Sequence, residues 1–485
     1  MSSAPLAQPA DPPSTAADPA AGPAGRVLAV LAAAQFAVVL STSIVNVALP
    51  QVRDGIGLSG DGMAWVVNAY GLAFGALLLP GGRLADLLGQ RRVLLAGLAV
   101  FTAASVAAAS STAPWLLIAA RATQGLGAAA IAPAALALVM RTFAPGPARG
   151  KALGVWGAVS GAGGAAGVLL GGVLTEAFGW RAVFVAVAVL GGAVLAASSR
   201  LLPGTRPAGD HGTRSFDLGG TATVTLGLVA LVYGLTTAGR NGWTDPRVLT
   251  AISVAVPLLG LFAVLERRHS APLLPPRLLR SGAVAPANLV MTLLGGVWVG
   301  LFFFLPLYQQ QALGYTALRA GLTQLPLAVA NMLGAAVAPR LARRFGAGSV
   351  LAAGMATIAG GFLWLSRISA DGGFLGDLLG PTVVVGLGLG AAFVQLTGAA
   401  VAGVPTADAG SAGGLVNTTR QIGGALGLAV LGTLATARTD AAGSAVPHEV
   451  ALTDGYRTAF LVSAGIAAVG ALLTPLLTRR TTPTP

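Results

Sequence analysis

The sequence predicts an all-α polytopic membrane protein: two six-helix bundles with two extra transmembrane helices between them, fourteen spans in all, and both termini cytoplasmic. Three observations predict it. Only 9% of the 485 residues are charged while 55% are hydrophobic, and the mean hydropathy is +0.78. Ordinary globular chains run at roughly 25% charged and 45 to 50% apolar, so a soluble surface cannot be built from this composition. Apolar stretches of about 18 to 25 residues, the length that crosses ~30 Å of hydrocarbon as helix, recur along the chain. A segment near residue 90 also returns near residue 347. A soluble enzyme, a disordered chain and a secreted disulfide scaffold are excluded. With no cysteine there is no disulfide, thiolate nucleophile or Cys-ligated zinc.

The elements follow in order. Residues 1–25 hold six prolines and eight alanines with no apolar h-region, which reads as a disordered cytoplasmic tail and not a signal peptide. An N-terminal bundle is expected over 26–201, with spans at 27–49, 62–81, 92–110, 114–139, 152–175 and 180–199. Their flanks are charged: Arg26, Arg83, Arg91 and Arg92, Arg141, Lys151 and Arg200 mark successive ends. A linker, 202–284, carries Arg206, Arg214, Arg277 and Arg280 around two inserted spans at 217–238 and 248–265. A C-terminal bundle is expected over 285–480, with spans at 285–308, 318–339, 348–366, 376–402, 415–436 and 458–477, followed by a short tail, 481–485. If the N-terminus is cytoplasmic, most arginines fall on inner segments and only Arg53, Arg181, Arg240, Arg247, Arg319, Arg367, Arg438 and Arg457 on outer ones. That asymmetry sets the orientation. The net charge of +13 is therefore a topology signal, and no nucleic-acid partner is expected.

The repeat assigns the halves. Shifted by 257 residues, Gly82–Gly97 lies on Pro339–Gly354 with eight of sixteen positions identical; at 260, Gly154–Leu174 lies on Gly414–Leu434 with seven of twenty-one. Spans one to six thus correspond to spans nine to fourteen. Two bundles related by a parallel repeat are the architecture of an alternating-access carrier, with the substrate between the halves near the membrane midplane.

The residues from Gly82 to Arg92, GRLADLLGQRR, resemble the loop between spans two and three of the major facilitator superfamily. Arg121 to Ala129, RATQGLGAA, resembles the fourth-span motif of its fourteen-span drug:proton antiporter family. The glycines at Gly163, Gly167, Gly171 and Gly172 are similar to that family's fifth-span antiporter motif, although its Gly-Pro step reads Gly167-Val168 here. Leu40 to Pro50 and Asn417 to Ala425 resemble its first- and thirteenth-span motifs. The resemblance implies the major facilitator fold, export of hydrophobic drug-like compounds by alternating access, proton antiport and a multi-pass location in a bacterial cytoplasmic membrane. It also implies gating by Gly82, Asp86, Gly89, Arg91 and Arg92, with the glycines giving a tight turn and close helix approach. A purely topological role for the arginines is the alternative. The fifth-span glycines would let helices from the two halves meet and seal the pathway.

Expected substrate or coupling residues are Ser41, Asn46, Asn68, Tyr70, Arg121, Gln124, Trp298, Phe302, Gln324, Asn331, Gln395 and Arg420, a mixture of apolar wall and sparse polar contacts. Interhelical contact is the alternative for each, and snorkelling to an interface for the two arginines. Ser41 stands where the family carries aspartate. All sixteen acids fall in loops or at span ends, which leaves Asp86, Glu176, Asp217 and Asp377 as candidates for proton linkage. Without a membrane carboxylate, neutral or anionic amphiphiles are expected over polyvalent cations. No phosphate loop, HExxH or GxSxG occurs, so no enzyme activity, metal or cofactor is expected. The expected partners are a small amphiphilic substrate, protons as coupling ion and the lipid bilayer, around a monomer. A non-coupled facilitator or specific metabolite exporter, and a sensor or scaffold of the same fold, are the alternatives.

Overall fold

A computed structural model describes residues 23–143, 147–202, 217–242, 244–269, 272, 284–401, 409–442 and 446–475. Residues 1–22 of the expected 1–25 tail, the tail 481–485, and the linker's Arg206, Arg214, Arg277 and Arg280 lie outside them. The described chain is helical throughout. The helices are α1 (Pro23–Ile56), α2 (Gly60–Leu88), α3 (Gln90–Ala109), α4 (Pro114–Thr142), α5 (Pro147–Phe178), α6 (Arg181–Leu201), α7 (Leu218–Asn241) and α8 (Pro246–Arg268). Then come α9 (Val284–Leu307), α10 (Ala317–Phe345), α11 (Ala347–Leu365), α12 (Leu379–Val401), α13 (Ala409–Ala441) and α14 (His448–Leu473). Eleven are long and apolar enough to cross a membrane; α2, α5 and α7 carry shorter apolar runs, Gly62–Leu78, Ala162–Phe178 and Gly219–Gly234.

Helix ends depart from the hydropathy reading where helix continues beyond the apolar stretch. α1 begins at Pro23, inside the expected tail, and runs through Pro50 to Ile56. α14 starts ten residues before the expected 458, because His448–Arg457 is a polar helical turn sequence that buries Thr453 and Tyr456 while Asp454 pairs with Arg457 and with Arg438 of α13. α13 begins at Ala409 and not near 415. Two π-helical turns, Tyr308–Ala312 after α9 and Phe374–Leu378 before α12, were not foreshadowed. α10 is interrupted at Gln324, which caps the piece before it and the piece after it.

The internal repeat reappears in the backbone. Gly89 closes α2 at φ 93° and Gly346 closes α10 at φ 86°; Gly57 follows α1 at φ 68° and Gly314 follows α9 at φ 64°. Both pairs are 257 residues apart. A positive φ favours glycine at each of these turns, since a Cβ there is sterically penalised. Each half packs internally, α1 on α5 and α2 on α4 in the first, α9 on α13 and α10 on α12 in the second. Across the seam α2 meets α13, α5 meets α10 and α1 meets α9.

The inserted hairpin has a definite place. Leu228 and Val232 of α7 are buried against Leu72 and Ala76 of α2 and Ala425 of α13, with Trp65 and Tyr233 rings 6.2 Å apart. α7 therefore covers the α2–α13 seam, while α8 lies outside it with only 17% of its apolar window buried, a lipid-facing helix.

Candidate functional site

A polar layer crosses the interior of the first half. Arg121, Gln124 and Gly125 share one face of α4 at helical spacing. Gly125 lets that face touch the α2 backbone, for a Cβ there would clash with the Tyr70 carbonyl. Arg121 is 1% exposed, and its Nε donates to the Val66 carbonyl at 3.0 Å, its Nη1 to the Ser41 carbonyl at 3.2 Å and to Gln124 Oε1. Its guanidinium stacks 4.4 Å above the Tyr70 ring. Gln124 Nε2 then donates to Ser105 Oγ at 2.7 Å, and Tyr70 Oη to the Val38 carbonyl at 3.1 Å. A buried cation is thus held by neutral acceptors and one aromatic face. It does not snorkel.

Arg420 enters the same region from α13, for the next residue, Gln421, bonds the carbonyl of Gly71, which follows Tyr70. Its neighbours stitch the halves together: Thr418 Oγ1 donates to the Gly75 carbonyl at 3.0 Å and Gln421 Nε2 to the Gly71 carbonyl at 3.3 Å. Asn46 Oδ1, Asn68 Nδ2, Gln324 Oε1 and Arg420 Nε are buried polar atoms without a hydrogen-bond partner. Such atoms are costly unless something else satisfies them.

Among the described residues, the other expected ones make no hydrogen bond to this layer. Trp298 packs against Phe302 and Phe393, with ring centroids 6.0 and 5.8 Å away. Gln324 bonds Gln309, whose Nε2 donates to Thr323, within the second half. Asn331 sits against Gly390 of α12, a packing contact, and Gln395 is buried in α12. An apolar groove of about 460 Å³ lies between α10 and α12, lined by Leu325, Pro326, Val329 and Leu387 among others, and holds none of the expected residues.

The two halves close at the end of the bundle where α1, α5 and α9 finish and α10 begins. Val47, Val168 and Ala317 form a small apolar plug packed by Phe302. Gln310 Nε2 donates to the Val47 carbonyl at 3.0 Å, and Leu318 N–H to Glu176 Oε2 at 3.0 Å. Glu176 is exposed, one residue beyond the expected fifth span; hydrogen bonds from the Thr316 hydroxyl and the Leu318 N–H hold its carboxyl below the usual carboxylate range. The fifth-span glycines divide. Gly163, Gly167 and Gly171 face α1 of their own half, and only Gly172 meets α10, where a Cβ would lie 2.6 Å from the Ala317 carbonyl. The expectation that all four join the two halves is corrected: three seat α5 on α1, and the seam contact is Gly172 with Val168 against Gly321.

Among the gating residues, Arg91 Nη2 donates to the Ser199 carbonyl of α6 at 2.7 Å, Arg92 is exposed, and Gly89 makes the turn. Gly82 makes only ordinary contact, and the close approach expected of it belongs to Gly81 against Ala129. The Asp86 side chain lies outside the described residues. Ser105, Gln310 and Gln311, whose Oε1 accepts from Tyr456 at 2.7 Å, were missed; the run Gln309-Gln310-Gln311 ending an apolar span was the available signal. Among the described residues no carboxylate lies in the middle of a span and no metal-binding cluster occurs.

Two related helical bundles meeting on a buried polar layer define a polytopic membrane transporter. The Major Facilitator Superfamily profile matches residues 31–428, and the chain belongs to that family. It is 44% identical over 446 residues to the cephamycin export protein CmcT of Amycolatopsis lactamdurans, covering 92% of this chain and 90% of the relative. It is 39% identical over 455 residues to the puromycin resistance protein pur8 of Streptomyces alboniger, with the same coverage. The fold matches a POT family transporter, PepTSo, with a TM-score of 0.69 at 15% identity over 94% of this chain and 98% of that one. A bacterial homologue of the lysosomal transporter Spinster matches at 0.68 and 16% identity over 95% and 99%.

Proposed function

We propose that this chain is a secondary active exporter of hydrophobic, antibiotic-like compounds, working by alternating access between its two six-helix halves in a bacterial cytoplasmic membrane. It works as a monomer with cytoplasmic termini and takes protons as the exchanged ion. The observation that carries this reading is the seam: α5 and α10 close one end through Gly172, Val168 and Gly321, while further inside Thr418 and Gln421 of the second half meet α2, whose Tyr70 belongs to the polar layer of the first half. A closed end above an interior polar layer supports access from the opposite side. The antibiotic export and resistance names of the relatives support the substrate class.

A specific observation favours a second reading, uncoupled facilitation. Ser41 replaces the family's acid, and no carboxylate lies mid-span among the described residues. Proteoliposomes separate the two. With a proton gradient imposed, puromycin, cephamycin and a neutral hydrophobic antibiotic are followed together with internal pH. Accumulation against the compound's own gradient, accompanied by proton flux, supports antiport. Movement only down that gradient supports facilitation, and binding without movement refutes both.

A further inference from the structure

The two guanidinium groups near Tyr70 are not equivalent. Arg121 is closed off at 1% exposure and committed to Val66, Ser41 and Gln124. Arg420 is partly exposed, and among the described residues it makes no ion pair and no hydrogen bond, its Nε being buried without a partner. It lies six residues inside the apolar span of α13, which begins at Gly414, ~9 Å along the axis at 1.5 Å per residue. Thr418 and Gln421 on either side donate to α2 of the opposite half, so the position belongs to the seam. No mid-span carboxylate neutralises it among the described residues. A guanidinium at this depth with neither counter-ion nor acceptor is a standing demand for an anion.

We infer that Arg420 is the subsite for an anionic group, of carboxylate type, on the transported amphiphile, and that Arg121 is not. Arg121 instead positions Tyr70 beside that subsite through the stacked contact. A fork of guanidinium donors matches the two oxygens of a carboxylate, and the apolar remainder of the compound lies along Trp298 and Phe302 of α9, the helix on which α13 packs. The assignment rests on the exporter reading and narrows it: selectivity comes from one residue on the second half, and compounds lacking the anion lose that contact.

The test uses two fluorescent probes that differ only in the carboxylate, N-dansylglycine and its neutral amide, with the full chain in vesicles of zwitterionic lipid. The wild type is expected to move the acid about tenfold or more faster than the amide at low concentration. Arg420→Gln brings the acid-to-amide rate ratio down to about one, and Arg420→Lys keeps part of the preference. Thermal midpoints of both variants confirm folding, and the wild-type ratio stands independently of either. Equal movement of acid and amide by the wild type, or a preference that survives Arg420→Gln, overturns the inference and leaves the exporter reading standing. A wild type that moves neither overturns both. Adding anionic phosphatidylglycerol leaves the preference intact if the substrate supplies the anion; its loss identifies a lipid headgroup at Arg420 and overturns the assignment.

Discussion

At Arg121 a charge is kept inside the bundle by two backbone carbonyls, one amide oxygen and one ring, and each of these is stranded if the guanidinium is removed. Arg121→Ala is therefore expected to destabilise the protein by about 3 kcal/mol, read from denaturant unfolding in mixed micelles, with Arg121→Lys intermediate. Ser41 tells the complementary story. Its carbonyl accepts from Arg121 and its side-chain hydroxyl donates to the Val38 carbonyl at 3.0 Å, so an acid introduced there finds a cation already waiting. Ser41→Asp is expected to keep the wild-type thermal midpoint and to add proton coupling or transport of cationic compounds. A fall in midpoint with no change in either transport property contradicts this. The RATQGLGAA segment made Arg121 and Gln124 legible in the sequence. Their partners were not, because backbone carbonyls carry no residue-specific mark.

Among the elements, α5 and α10 carry the closure. Gly172→Val would drive a side chain into the Ala317 carbonyl and hold the halves apart at that end. The chain has no cysteine, so Val47→Cys alone reports on the plug. Labelling of that cysteine by a membrane-impermeant maleimide is expected to rise severalfold when Gly172→Val is added, and unchanged labelling would place the gate elsewhere. The Glu176 clasp beside it depends on pH in a defined direction. Its carboxyl is held below its ordinary value, so the clasp is fully present above about pH 4.3, the unperturbed carboxylate value. It is lost as pH falls through the lowered pKa. Val47→Cys labelling, taken as a ratio to that of a fully exposed control cysteine so that the pH dependence of the thiolate cancels, should accordingly stay constant from neutral pH to about pH 5 and rise only below the ordinary carboxylate value. Hydropathy located the centres of these helices well. It missed the first turns of α13 and α14, where helix runs on in polar sequence, and the two π turns, whose extra residue leaves no periodic trace in short segments.

For the whole molecule, the 257-residue repeat was legible as sequence and returns as paired positive-φ glycines, so the two halves are related in backbone as well as in residues. The place of the inserted hairpin was not legible, since an apolar helix reads the same whether it faces lipid or another helix. Its α7 covers the α2–α13 seam, the junction that also carries the Thr418 and Gln421 cross-links, and any relative motion of the halves must be accommodated there. The central claim is that two related halves alternate access to a polar layer and so export drug-like compounds. It is tested most directly by reconstituting the chain in proteoliposomes under an imposed proton gradient and following compound and internal pH together. The account predicts accumulation of the compound against its own gradient with matching proton movement, abolished by Gly172→Val. Specific binding without any movement across the membrane would contradict it.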